Sequence, residues 1–159
     1  MKQNLFIDKA YKLVDYAKII SIGSKMEIIQ IFPQLKVTDQ IDYWDLYCTV
    51  AATYSACLGS SIYIDNKNIL NKVDRIVDKK LNDFDKLNGS GAFNDLDRYM
   101  NNFIVNNPDQ KNTDESYLLS VGAWIIWNLT LKKPIDNEGR IASLLGNIFY
   151  KEFLHYYNI

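Results

Sequence analysis

The chain has 159 residues, 48% hydrophobic and 23% charged, with a formal net charge of -1 from 18 basic and 19 acidic residues. That length fits one domain and buries an adequate core without a metal or disulfide staple, and the composition is that of a globular protein rather than a disordered one. With no basic excess, a dedicated nucleic-acid binder is not expected, and with no 18-residue apolar run neither is a membrane-spanning protein.

Charges at Lys2, Asp8 and Lys9 interrupt the apolar run that a signal peptide would need, so a cytoplasmic location is expected. Cys48 and Cys57 fall on one predicted helix, about 13 Å apart at helical rise, which is too far for a mutual disulfide. Both are read as reduced, small apolar residues. Only three prolines and seven glycines are present, which favours long helices over a turn-rich β fold.

In chain order, Phe6, Ala10, Leu13, Val14, Ala17 and Ile20 recur at helical spacing and predict a first helix over Leu5–Ile20. Gly23 should end it. Ser24-Lys25-Met26-Glu27 has capping-box spacing and should open a short second helix, stopped by Pro33. Thr38 or Asp39 then caps a long helix, Gln40–Ser60, rich in small residues such as Ala51, Ala52, Ser55 and Ala56. Asp65 caps the next, Asn66–Phe84, with an apolar stripe from Ile69 to Phe84 and a charged opposite face that includes Asp74 and Asp78. Asn88-Gly89-Ser90-Gly91 reads as the only internal linker. A helix through Phe93, Leu96, Tyr99, Met100, Phe103 and Ile104 follows, broken at Asn106-Asn107-Pro108-Asp109. Asn112 or Thr113 caps a final hairpin, Ser116–Leu131 and Asp136–Tyr157, turned at Lys132-Lys133-Pro134-Ile135. This hairpin is the most hydrophobic part of the chain, and the other helices are expected to pack around it. No stretch alternates as a strand would. The fold class is therefore all-α, a single-domain bundle of six to seven helices.

Ile64-Asp65-Asn66 recurs as Ile135-Asp136-Asn137 at an offset of 71 residues, and several apolar positions match at the same offset. The pattern suggests two packed helical hairpins, residues 39–84 and 113–157, related by internal duplication. Reuse of a common helix cap accounts for the same residues.

His155 is the only histidine, and no Cys-x-x-Cys occurs, so a zinc or iron–sulfur site is not expected. A carboxylate-bridged metal bundle would need Glu-x-x-His pairs, and there are none. No cofactor is predicted. A Cys–His nucleophilic pair has no supporting pattern. Phosphate-cradling glycine loops and nucleophile elbows are absent.

The string Lys133-Pro134-Ile135-Asp136-Asn137-Glu138-Gly139-Arg140 loosely resembles the signature of Fic-family enzymes, which transfer nucleotides or phosphate. Pro134, Gly139, Arg140, Leu144, Leu145 and Asn147 carry the resemblance. Lys133 stands where that family has its catalytic histidine, the loop is one residue short, and a cradle glycine is missing. The resemblance implies at most a degenerate Fic-like enzyme, or an anion held by a helix N-terminus and Arg140.

The reading these features favour is a non-enzymatic protein that binds another protein, in concrete form a bacterial immunity protein that neutralises a basic toxin. Acidic clusters motivate it: Asp39/Asp42/Asp45, Asp83/Asp85, Asp95/Asp97 and Asp109/Asp114/Glu115 could steer a basic partner. Tyrosine and tryptophan, favoured at interfaces, are abundant. The binding residues expected are Asp42, Trp44, Asp45, Asp95, Asp97 and Arg140. An alternative places a small-molecule pocket between the long hairpins, lined by Trp44, Tyr47, Trp124, Trp127 and Arg140. A third makes the apolar hairpin a homodimer face.

Overall fold

The structure, a computed structural model, describes residues 2–106 and 114–159. Among them the chain is all-α and carries no strand. Six helices run in order: α1 (Lys2–Ile31), α2 (Trp44–Tyr63), α3 (Lys67–Phe84), α4 (Gly89–Asn106), α5 (Asp114–Leu129) and α6 (Glu138–Gly146). The last continues without a break through a π-helical stretch (Asn147–Lys151) into a final turn (Glu152–Leu154). Two short 3-10 turns, Pro33–Val37 and Ile41–Tyr43, link α1 to α2. The expected break at Asn107-Pro108-Asp109 and the cap at Asn112 or Thr113 lie outside the described residues.

Helix α2 is the centre of the molecule. It is buried on nearly every side, and it touches α1, α3, α4, α5 and the continuation of α6. A helix apolar all round belongs in a core, and its run of small residues lets neighbours approach closely. The expectation that the hairpin α5–α6 would be the centre is thus corrected: that hairpin packs against one flank of α2. Its own two helices still form the most extensive pair. The reason is visible at two glycines. A Cβ on Gly122 would lie 1.9 Å from the Ala142 carbonyl oxygen, and one on Gly146 would lie 2.2 Å from that of Leu118. Each glycine meets the other helix's backbone, one turn apart, in antiparallel register.

Two expected breaks are overridden. α1 runs through Gly23 as one helix to Ile31. The Ser24 hydroxyl donates to the Ile20 carbonyl at 2.8 Å, inside the helix, rather than capping a new one. Continuing the helix buries Ile28 and delivers Phe32 to the core, which outweighs the roughly 1 kcal/mol that an internal glycine costs. The supposed linker at Asn88–Gly91 is instead the start of α4. Asp85 accepts from the backbone N–H of Leu87 and Asn88 at 3.1 and 3.0 Å and sets the turn. A Cβ on Gly89 would meet the Leu81 carbonyl oxygen at 2.6 Å.

The two Ile-Asp-Asn strings share a register but not a shape. Each asparagine, not the aspartate before it, is the N-cap. Asn66 has φ −77° and its side chain accepts from the N–H of Asn68 and Ile69. Asn137 is left-handed at φ 62° and makes no side-chain cap. The segment before it carries two more left-handed residues, Leu131 and Lys132 at φ 54° and 65°. It is tied to residues 33–40 by Gln34 to the Asp136 carbonyl at 3.0 Å and by Lys133 to Asp39 at 3.1 Å.

The chain ends clasp each other. Lys9 donates to the Tyr156 carbonyl, and the Tyr156 hydroxyl donates to the Lys9 carbonyl, both at 2.6 Å. No helix among the described residues is long and apolar enough to cross a membrane.

Candidate functional site

Helix α4 shapes the surface. It packs across α2, between α3 and α5, and a recess opens along each of its flanks.

The first recess, of about 400 Å³, lies between α2, α3 and α4. Asp74 and Asp78 stand one turn apart on α3, bordering the buried stripe of Val77 and Leu81, so helical spacing carries two carboxylates to the rim of an apolar floor. Asp97 faces them from α4. Tyr54, Cys57 and Leu58 of α2 and Phe93 of α4 complete the wall. The Tyr54 and Phe93 rings meet edge to face at 5.5 Å.

No lysine or arginine lines this recess. Among the described residues none of its three carboxylates belongs to an ion pair. The field is felt by every neutral acid nearby. Burial first, then Asp74 and Asp78, push the Cys57 thiol up to about 12. Burial and then the adjacent Asp97 raise the Tyr54 hydroxyl. Burial raises Asp74 itself.

The second recess, of about 460 Å³, lies on the other flank. Trp124 of α5 forms its floor and is only 3% exposed. Asp95 of α4 accepts from the Trp124 indole N–H at 2.9 Å, and Tyr47 meets the same ring edge to face at 5.6 Å. Gln40, Tyr43, Asn88 and Asn128 add polar groups. Leu87, 91% exposed, stands at the rim. So does Lys132, one of the strained left-handed residues. A neighbouring hollow of about 400 Å³ shares Asp95, Trp124 and Lys132 and adds Tyr99 and Trp127. There Tyr99 packs edge to face on Trp127 at 5.8 Å, and the Trp127 indole N–H donates to Glu138.

The six residues expected to bind do not form one site. Asp97 and Asp95 fall in the first and second recess. Asp42 is exposed in a 3-10 turn. Asp45 is half-buried in the first turn of α2, where a carboxylate suits the helix N-terminus. Its Oδ1 has no hydrogen-bond partner among the described residues. Trp44 is a core residue, 0% exposed, and this corrects its expected role. Its indole N–H donates to the Ser21 carbonyl at 2.9 Å, and its ring packs on Phe149. Arg140 is exposed and lies over the Phe32 ring at 6.0 Å, away from both recesses. Of the pocket expected between the hairpins, Tyr47, Trp124 and Trp127 do come together; Trp44 and Arg140 do not.

Asp74, Asp78 and Cys57 are site residues that sequence reasoning does not mark. The signal for the two aspartates is their position beside Val77 and Leu81, at the border of the stripe rather than opposite it.

His155 and Cys48 are held in other contacts. His155 Nδ1 is hydrogen-bonded to the Tyr63 hydroxyl, and among the described residues no contact joins it to a cysteine. Burial and Asp45 keep the Cys48 thiol protonated. No cluster of three His, Cys, Asp or Glu among the described residues could hold a metal ion. Comparison with protein families, curated proteins and solved structures gives no match.

Proposed function

We propose that the protein works by binding another protein, and that α4 with its two flanking recesses is the contact face. The observation that carries this reading is the pairing of unlike recesses on one helix: unpaired carboxylates on one flank, tyrosine and tryptophan on the other. Tyr and Trp anchors beside charged groups are what interface hot spots are made of, and carboxylates outside any ion pair among the described residues favour a basic protein. The two consecutive left-handed residues beside the aromatic recess support it, since backbone strain concentrates where a surface is used. The concrete form is a bacterial immunity protein whose partner is a basic toxin.

Co-expression of the chain with the product of an adjacent reading frame, followed by co-purification, tests it. A complex of nanomolar affinity is expected, lost in Leu87→Arg, a change at the 91% exposed rim residue of the aromatic recess, with the melting temperature unchanged. No complex would overturn the immunity form. A complex that survives Leu87→Arg intact would overturn the assignment of the face.

The alternative of an anion or Fic-like site at residues 134–140 has less support. Glu138 already places a carboxylate in the first turn of α6, which opposes an anion there.

A further inference from the structure

We propose that two copies of the chain pair through the outer face of α1, crossing antiparallel at Ile22 and Gly23. This goes beyond the protein-binding reading and uses a different face. α1 packs on α2 and α3, whereas α4 packs on α2, α3 and α5.

The first observation is an apolar stripe on the solvent side of α1. The side turned to the core runs from Phe6 to Ile28. On the opposite side Ile19, Ile22 and Met26 are 65%, 51% and 68% exposed. Their spacing of three and four sets them in one line. A single exposed apolar side chain is ordinary, but two turns of them in line mark a contact surface. The stripe is also bounded. Toward the N-terminus the same side turns polar, where Lys12 pairs with Asp8 at 3.0 Å.

The second is the glycine at its middle. The other glycines inside helices lie against a second helix: a Cβ on Gly59, Gly122 or Gly146 would strike the backbone of Leu154, Ala142 or Leu118. Gly23 is as deep inside α1, yet a Cβ there meets nothing within 4 Å. Its φ is not positive either. A mid-helix glycine weakens a helix, and no contact within the chain uses this one. A second backbone crossing at Gly23 would.

The third is register, which selects a second copy. A two-fold contact pairs residue i with j and j with i. An antiparallel crossing centred between Ile22 and Gly23 sets each Ile22 against its counterpart and each Ile19 against Met26. It brings the exposed Asp15 level with the exposed Gln30 at both ends. Apolar thus meets apolar, and polar residues close the seam. Residues 14–31 of the two copies overlap, about 27 Å of helix. That places the contact at the low end of specific interfaces, below about 1,200 Å² in total, so the dimer is a weak one. Lys18 and Lys25 fall along one edge of the seam and Glu27 along the other. No ion pair across the two-fold drives it, and salt should strengthen it by screening the lysines.

Sedimentation velocity of the intact chain at rising concentration should show a monomer–dimer equilibrium that tightens with salt. Ile22→Glu should leave a monomer. Gly23→Ala should weaken the dimer about tenfold by parting the backbones, while melting no lower than the parent in dilute solution. Tyr11→Glu, on α1 at 52% exposure but beyond the overlap, should leave the dimer unchanged. An equal mixture of the Ile19→Cys and Met26→Cys variants should form a disulfide dimer on mild oxidation. Neither variant should do so alone, since like residues lie about 10 Å apart along the seam, too far to bridge. A chain that stays monomeric up to about 1 mM, a dimer indifferent to Ile22→Glu, or disulfides formed as readily by either variant alone would each overturn the pairing. Loss of the complex with an adjacent reading frame's product in Ile22→Glu would assign the stripe to a different protein and overturn the second copy as its occupant.

Discussion

A single asparagine shows how much one side chain decides. Asn66 caps α3 with two accepted N–H groups, so Asn66→Ala should lower stability by about 1 kcal/mol, read from urea melts. Asn137 follows the same two residues, Ile-Asp, but is left-handed with no side-chain cap. Asn137→Gly should therefore cost nothing, because glycine takes that backbone freely. The sequence offers Asp and Asn side by side at both places. Either can cap, and propensity alone does not choose between them.

Asp74 makes the opposite kind of prediction. Burial raises its pKa above the ordinary 3.8, so the folded state holds its proton more tightly than the unfolded one. The charged form thus costs stability at neutral pH, and the cost vanishes once pH falls below the unfolded value, where both states are neutral. Asp74→Asn should raise the melting temperature at pH 7 and match the parent at pH 3. A residue that destabilises the free protein is what a binding role would retain.

At the scale of elements, two glycines in helices should behave oppositely. Gly23 has open space around its Cβ position, so Gly23→Ala should stabilise α1 by about 1 kcal/mol. Gly122→Ala would drive a methyl group into the Ala142 backbone and should cost about 2–3 kcal/mol or more, as overpacking does. Thermal melts of the two variants check both signs. Helical periodicity makes α1, α3 and the hairpin readable, since Phe6–Ala17 and Ile69–Leu81 mark buried stripes directly. It does not show that α1 runs through Gly23, because the reward for doing so, burial of Ile28 and Phe32, is tertiary. Nor does it reveal the π-helical stretch at Asn147–Lys151, which no residue type signals.

At the scale of the whole molecule, α2 organises the fold and α4 the surface. The central place of α2 is hidden in the sequence because small residues such as Ala51, Ala52 and Gly59 score as weakly hydrophobic, though they are what permits close packing. The recesses are hidden for a related reason: each gathers residues from three or more segments, and only Asp95, Asp97, Tyr47 and the two tryptophans stand out in the sequence as binding candidates. The buried acids give the whole bundle an alkaline limit. Burial holds Cys57 at about 12 against an ordinary 9.0, and Tyr156 at about 12 against 10.0. Tyr54, Tyr150 and Tyr157 are raised as well, burial being the main cause. Above the ordinary values the unfolded chain loses protons that the folded one keeps, so stability should fall from about pH 9 upward. Absorbance at 295 nm should show these tyrosines ionising together as the far-ultraviolet dichroism is lost, rather than one by one near pH 10.

The most direct test of the binding face is the affinity of the chain for the product of an adjacent reading frame, measured at low and high salt for the parent and for Asp74→Asn/Asp78→Asn/Asp97→Asn. A nanomolar complex is expected that weakens with salt and is lost in the triple variant, whose helical dichroism is retained. A complex indifferent to both salt and the three substitutions, or no complex at all, would contradict a binding face built on α4.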